Sequence, residues 1–229
     1  MKTTTRAGAA LAALAFLGLG LASGSAGAAG GHHAVDDAAL LEAGHCGPET
    51  WWTHGQDGTN LLHAGVNCRV GPVELGGATE HAYGPGGSQT AWNLEVKWAR
   101  ELFEGFSVGI DVQPGTQPQG RPRFDTTKAV ALATWQLAEP LKLHLNLGRD
   151  FIGGGGNQAR GGVALEWAPT GRWSLLAERY LEGGTHYLRG GVRWAPSDAW
   201  SLDFSRAQRL GGPAPSTWTV GLNYDFSLD

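Results

Sequence analysis

Strict alternation of apolar and polar residues is the feature that most restricts the fold of this chain. In the stretch Leu-Lys-Leu-His-Leu-Asn-Leu at 141–147, every odd position is apolar and every even position is polar. Such a period of two places the apolar side chains on one face of a β-strand. The same period recurs at 106–112, 200–205 and 218–226. Because a helix repeats its apolar residues about every 3.6 positions, the sequence predicts an all-β chain.

About twelve segments share this pattern, and most have the roughly 9–11 residues that a tilted strand needs to cross a bilayer. The first pair is weaker, so ten strands is the alternative count. Either number is even, as in bacterial single-chain antiparallel up-and-down barrels. Segment 127–137 is apolar on both faces, so the pattern does not show which of its side chains face inward. The predicted strands are 48–55, 59–70, 72–83, 89–99, 105–113, 127–137, 141–149, 158–167, 172–181, 186–194, 199–207 and 216–226.

The connections between these segments tend to alternate in length. Counted back from the C-terminus, every second one is short, as at Pro169 to Gly171, whereas most others are longer and rich in glycine and proline. The connection at 182–185 is a short exception. Short turns on one rim and long loops on the other are typical of outer-membrane barrels, whose turns face the periplasm. The sequence therefore predicts that both chain ends are periplasmic.

Tryptophan placement favours a membrane barrel over a soluble barrel or sandwich, which would also alternate. An amphipathic indole ring prefers the level of the lipid headgroups. The residues beside the predicted short turns include Trp98, Trp135, Trp167, Trp173, Trp194 and Trp200. A belt of this kind on one rim predicts membrane lipid, rather than water, around the apolar face.

The N-terminus has the features of an export signal. Lys2 and Arg6 precede an apolar run at 7–22 and a small-residue stretch at 23–29, the organisation of a secretory signal peptide. We expect a signal peptide at 1–29, a periplasmic lead-in at 30–47 and an outer-membrane barrel at 48–229. The expected site is the outer membrane of a Gram-negative cell, with membrane lipid and the barrel-assembly machinery as partners.

Charge and cysteine content narrow the partners further. The net charge of −4 and the lack of a Lys/Arg-rich tract argue against nucleic acid. Cys46 and Cys68 are the two cysteines. An oxidising compartment predicts a structural disulfide between them that closes the first hairpin. The alternative, a metal-binding or reactive thiol pair, lacks the usual close spacing.

The polar face of the predicted strands supplies the candidate lumen residues. Since one face of such a barrel meets lipid, the other lines the bore. The candidates are Lys142, His144, Asn146, Glu166, Arg189, Arg193, Asp203 and Asp225.

A candidate metal site lies at the start of the mature chain. Cleavage after Ala29 leaves Gly30-Gly31-His32, whose amine, two amides and imidazole form a square-planar nitrogen set suited to Cu(II) or Ni(II). His33 is placed to assist. Cleavage after Ala28 removes this site, and no other cofactor is expected.

The mature start also carries a family resemblance. The run His-His-Ala-Val-Asp-Asp-Ala at 32–38, followed by Gly44 and by Glu49-Thr50-Trp51, resembles outer-membrane barrels of the phenol-degradation meta-pathway-like transporter group. The resemblance implies a barrel of transporter type and assigns no catalytic residue.

Three functional hypotheses follow. The first is a channel or transporter for an unidentified small solute, tuned by the charges of the lumen. The second is a structural or copper-binding barrel whose lumen is plugged. The third, an outer-membrane hydrolase, lacks a nucleophile that spacing can assign to His144. We expect no enzyme activity.

Overall fold

The structure is a computed structural model that describes residues 31–116 and 124–228. The expected signal peptide and Gly30 lie outside the described residues. The strands are β1 His45–Gly55, β2 Asn60–Val70, β3 Val73–Gly84, β4 Gly87–Phe103, β5 Phe106–Thr116, β6 Phe124–Ala138, β7 Leu141–Ile152, β8 Gln158–Thr170, β9 Trp173–Glu182, β10 Thr185–Trp194, β11 Trp200–Gly211, β12 Thr217–Tyr224 and β13 Phe226–Ser227.

Twelve long antiparallel strands close into a barrel. Each strand pairs with its neighbour in sequence, and β12 returns to pair with β1. The two-residue β13 continues β12 beyond Asp225 and pairs with the start of β1. The prediction of a twelve-strand up-and-down barrel is therefore confirmed. Within the described ranges, no helix is long and apolar enough to cross a membrane.

The two faces of the wall follow the alternating sequence. In β7 the outward Leu145 and Leu147 are 49% and 77% exposed, whereas the inward His144 and Asn146 are 0% and 7% exposed. The outer surface is thus apolar and the inner surface is largely polar and buried. This arrangement is the one expected of a barrel that faces lipid outside.

The surroundings of strand β6 explain why the sequence did not show which of its side chains face inward. Its inward Val130 and Leu132 are buried in a small apolar cluster with Ala38 from the N-terminal segment. Both faces are apolar because the inner face meets another part of the chain.

The rims differ less in connection length than the sequence suggested. Strands extend past their predicted ends, so that the connection 85–86, on the rim expected to carry long loops, contains two residues, as does the predicted short exception, now 183–184. Gly183 and Gly184 both have positive φ, which lets the chain reverse in this short distance. Residues 153–157 and 212–216 keep the longer form.

The predicted disulfide is confirmed. Cys46 in β1 lies directly opposite Cys68 in β2, and their sulfur atoms are bonded. The bridge closes the first hairpin at the rim where the chain enters the barrel wall.

Residues 31–44, hereafter the plug segment, lie inside the barrel. A periplasmic lead-in was predicted over 30–47; residues 45–47 instead belong to β1, and the plug segment is held within the bore. His32, Val35, Asp37 and Ala38 are all buried. The physical reason is a set of anchors on the inner wall that satisfies the polar groups of the segment.

Candidate functional site

The plug segment begins against strands β10 and β11. The carbonyl oxygen of His32 accepts a hydrogen bond from Arg189 Nη1 at 2.6 Å, and His32 Nε2 lies 2.7 Å from Ser205 Oγ. Burial, together with the neighbouring His33, Arg189 and Arg193, lowers the pKa of His32 far below its ordinary value. The imidazole is therefore neutral in the plugged barrel.

Glu178 on β9 anchors the next two residues. Its carboxylate accepts backbone hydrogen bonds from Val35 at 2.9 Å and Ala34 at 3.4 Å, and it pairs with Arg189 at 2.9 Å. Glu178 is 1% exposed. A carboxylate buried this deeply needs partners of this kind, because desolvation otherwise costs several kcal/mol.

Val35 is the apolar anchor of the plug segment. It is fully buried and packs in a cluster with Ala164, Tyr180, Tyr187 and Ala207 of the wall. The two tyrosine rings stack with centroids 5.0 Å apart. The segment is therefore held both by burial of Val35 and by hydrogen bonds from its backbone to the wall.

Asp36 and Asp37 hold the middle of the plug segment to strand β4. Lys97 Nζ lies 2.7 Å from Asp36 Oδ2 and 3.4 Å from Asp37 Oδ1. With its amide oriented to satisfy both contacts, Asn146 donates to the Asp36 carbonyl at 2.9 Å and accepts from the Asp36 N–H at 2.7 Å. The double-Asp motif noted in the sequence thus neutralises a buried lysine.

A chain of hydrogen bonds from β6, β7 and β8 holds Ala38. Its N–H donates to Thr134 Oγ1 at 2.8 Å, Thr134 Oγ1 lies 3.0 Å from His144 Nδ1, and His144 Nε2 lies 3.1 Å from Glu166 Oε2. A hydroxyl, an imidazole and a carboxylate in this order resemble a hydrolytic triad. Here His144 is fully buried and the hydroxyl already accepts from the plug, so the arrangement acts as an anchor.

The end of the plug segment contacts β2 and β3 before the chain enters β1. Arg69 Nη1 donates to the Leu41 carbonyl at 2.8 Å, and the Leu41 N–H donates to Glu74. The segment therefore crosses the bore from the β10–β11 side to the β2–β3 side.

Three glycines of the inner wall leave room for the plug. A Cβ atom at Gly162 would lie 2.8 Å from Val35 Cγ2, one at Gly191 would lie 3.1 Å from His33 Cε1, and one at Gly221 would lie 3.3 Å from His32 Nδ1. Side chains at these positions would compete with the segment for the same space.

The eight predicted lumen residues lie on the inner side of the wall, in different surroundings. His144, Asn146, Glu166 and Arg189 form part of the plug anchorage described above. Arg193 and Asp203 form a bidentate pair with distances of 2.6 and 2.8 Å. Lys142 lines the cavity, and Asp225 pairs with His45 at 2.5 Å where β1 begins.

The structure describes only part of the candidate metal site. Gly30 and its amide lie outside the described residues, while the His32 and His33 rings lie inside the bore with their centroids 4.2 Å apart and their planes tilted by 34°. Over the part of the chain that the structure describes, no three His, Cys, Asp or Glu residues form a metal-binding group.

A cavity of about 1580 Å³ remains in the bore beside the plug segment. One side of it is an acidic surface on strands β1–β5, hereafter the open wall. His63 is central to it: its Nδ1 lies 3.3 Å from Glu80, its Nε2 lies 3.6 Å from Glu49, and its ring stacks on Trp51. The open wall consists of Glu49, Trp51, His63, Glu80, Glu95 and Asp111.

Side-chain hydrogen bonds link the open-wall carboxylates of β4 and β5. Gln113 Nε2 donates to Glu95 Oε2 and to Asp111 Oδ2, both at 3.0 Å. Lys128 on β6 lies 3.5 Å from Asp111. None of the open-wall residues was among the eight predicted lumen residues, and Glu80 lies in the glycine-rich β3 sequence, which has no clear period. The pairing of Glu80 with His63 across β2 and β3 identifies it only once the register is known.

Solved structures share this architecture at low sequence identity. A KdgM porin superposes with a TM-score of 0.64 at 9% identity, covering 79% of this chain and 99% of the porin. A KdgM porin in complex with disordered oligogalacturonate gives 0.59 at 10% identity, covering 80% and 99%. A NanC porin gives 0.53 at 9% identity, covering 80% and 100%. These likenesses show a porin-type barrel fold.

A comparison with curated proteins gives no significant match. A family model does match, over residues 17–226, which is most of the chain. The protein therefore belongs to the family described as Uncharacterised conserved protein UCP029691.

Proposed function

We propose that this protein is an outer-membrane channel for a small polar solute, and that the plug segment narrows its bore. The observation that carries the proposal is the cavity of about 1580 Å³ that remains beside the plug. Its lining extends from Gly105 and Ser107 near one rim to Leu61 and Thr217 near the other. A polar passage inside an apolar outer surface is the general design of a diffusion pore.

The names of the structural neighbours support the same class of function. KdgM and NanC are called porins, and one KdgM structure contains an oligogalacturonate. We extend to this chain the passage of a small hydrophilic solute rather than that particular ligand. Membership of the phenol-degradation group stays a prediction based on residues 32–51.

The proposed orientation places both ends of the barrel sequence in the periplasm. Residues 45 and 227 lie at the same rim, because β1 begins where β13 pairs with it. Trp167, Trp173, Trp194 and Trp200 flank turns of this rim and are exposed on the outer surface. A cysteine introduced at Gly154 should react with an impermeant maleimide in intact cells, whereas one at Gly171 should not.

Single-channel recording in planar bilayers tests the channel directly. We expect discrete conductance steps from the purified barrel and larger steps after deletion of residues 31–43, since this removes the plug and keeps β1 intact. Absence of steps from both proteins would contradict the proposal and favour the second hypothesis, a closed structural barrel.

Copper binding at Gly30-Gly31-His32 stays a prediction, and it requires a change from the structure described here. The His32 imidazole is bonded to Ser205 in the bore, so copper capture requires this part of the chain to leave the barrel. Titration of Cu(II) should therefore raise the hydrogen exchange of the plug segment if the site exists.

A further inference from the structure

We infer that the open wall makes this bore selective for cations and for solutes that carry a positively charged group. This inference rests on the proposed channel function and names the class of solute. Two observations support it: the plug segment leaves the carboxylates of the open wall uncovered, and it neutralises Lys97.

The carboxylates of the open wall come from four of the five consecutive strands β1–β5. Glu49, Glu80, Glu95 and Asp111 project from β1, β3, β4 and β5 into the same cavity. Carboxylates accept hydrogen bonds and donate none, so a solute that binds here must bring donors or positive charge. Rings of Asp and Glu side chains favour cations in channels for this reason.

Most basic groups of the bore are paired with carboxylates, Arg160 with Asp150 and Glu182 among them, whereas Arg69 and Lys142 line the cavity with no ion pair to a described residue. Lys97 is held by Asp36 and Asp37 of the plug segment. Arg189 pairs with Glu178, and Arg193 pairs with Asp203. Lys128 is partly exposed and pairs with Asp111. The plug therefore contributes two carboxylates that neutralise Lys97.

Two buried polar atoms on this wall lack hydrogen-bond partners among the described atoms. They are Asp111 Oδ1 and His63 Nε2, and both residues are 4% exposed. A buried acceptor without a donor loses its hydration and gains no hydrogen bond in exchange. Asp111, which borders the cavity, therefore has one carboxylate oxygen that no described donor compensates, and its negative charge adds to the field of the open wall.

Low-dielectric walls strengthen the field of such a surface. Charges in a narrow cleft focus the potential and raise the local concentration of counter-ions. A polyanion such as oligogalacturonate would meet repulsion here, in contrast with the KdgM porin whose solved complex contains it. The open wall therefore predicts a different class of solute from that neighbour.

Reversal potentials in a KCl gradient test the inference. We expect the wild-type barrel to pass K⁺ in preference to Cl⁻, and the triple variant Glu49→Gln, Glu80→Gln, Glu95→Gln to lose severalfold of that preference. Glu80→Gln alone should give a smaller loss in the same direction. The matched control is Glu139→Gln, which removes a carboxylate from the β6–β7 turn and should leave the ratio unchanged.

Folding of each variant is checked by its heat-modifiable migration on gels, and Glu80→Gln serves if the triple variant does not fold. Conductance steps with a Cl⁻ preference, or a K⁺ preference unaltered in folded variants, would overturn the inference while leaving the channel function standing. A barrel without steps would contradict the proposed function, and this inference would fall with it.

Discussion

Lys97 Nζ on strand β4 lies 2.7 Å from Asp36 Oδ2 in the plug segment. Lys97 is 6% exposed, so the ion pair is shielded from solvent and joins the plug to the barrel wall. Removal of the lysine leaves the buried Asp37 and the partly buried Asp36 without their cation, which is costly where a carboxylate is desolvated.

The Lys97→Met variant is expected to release the plug. Loss of one partner of a buried pair costs about 3–5 kcal/mol, which would make opening of the segment frequent. Hydrogen exchange of residues 31–44, read by mass spectrometry, should increase, and single-channel conductance should rise. Lys142→Met is the control, because the structure shows no ion pair between Lys142 and the described plug residues. Unchanged exchange in Lys97→Met would contradict the anchoring role.

A side chain at Gly191 should expel the plug, whereas one at Gly190 should not. A Cβ atom at Gly191 would lie 3.1 Å from His33 Cε1 in the plug and 3.1 Å from Ser205 Cβ on β11, while a Cβ at Gly190 has nothing within 4 Å. We therefore compare Gly191→Val with Gly190→Val, which place the same side chain on opposite faces of β10. Faster exchange of residues 31–35 is expected only in Gly191→Val, and equal exchange in the two variants would argue against this packing.

Acidification should loosen the plug through His32. The folded-state pKa of this imidazole lies below its ordinary value, so it stays neutral inside the bore while a released segment titrates near pH ~6.5. The released state then binds more protons, and the plugged state loses up to about 1.4 kcal/mol per pH unit below that value. The charged neighbours that face it are Arg189, Arg193 and Asp203, and the His33 ring lies beside it.

The measurement is hydrogen exchange of residues 31–35 between pH ~7.5 and ~5, corrected for intrinsic exchange rates. His32→Gln removes the titration and keeps a side chain that can bond to Ser205. The acid-induced increase should shrink in this variant. An identical pH response with and without His32 would assign the effect to other groups.

Reduction of the disulfide should lower the thermal stability of the barrel. Cys46 and Cys68 are separated by 22 residues, and closing a loop of this size is worth about 3 kcal/mol in the chain-entropy description. We expect a reductant to lower the temperature at which the wild-type barrel loses its folded gel migration. The double variant Cys46→Ser, Cys68→Ser should unfold at the lower temperature and be insensitive to reductant; a response in that variant would point to a different cause.

A charge on the outer surface should destabilise the barrel according to its depth in the membrane. Leu147 lies in the middle of β7 and is 77% exposed, whereas Leu137 lies one residue from the end of β6 and is 45% exposed. Leu147→Arg should cost about 2–4 kcal/mol in lipid and Leu137→Arg about 0–1 kcal/mol. Reversible unfolding in liposomes measures both. Equal small costs would contradict a lipid environment for this face.

The sequence by itself determined the barrel wall. Alternation in β7 and β12 identified which side chains face outward, and that pattern persists because each strand must present one face to lipid and one to the bore. The cysteines were also paired correctly, since export to an oxidising compartment leaves a disulfide as the simplest use of two thiols.

The tertiary structure alone decided the position of the plug segment. Its residues have no strand or helix period, and its anchors are distant in sequence, as the 157-residue separation between His32 and Arg189 shows. The double-Asp motif was visible, but its partner Lys97 became evident only when β4 was placed in the closed barrel. Glu80 likewise joined His63 only through the register of β2 and β3. Local pattern specifies which face a residue occupies; only the closed barrel brings residues from distant strands around one bore.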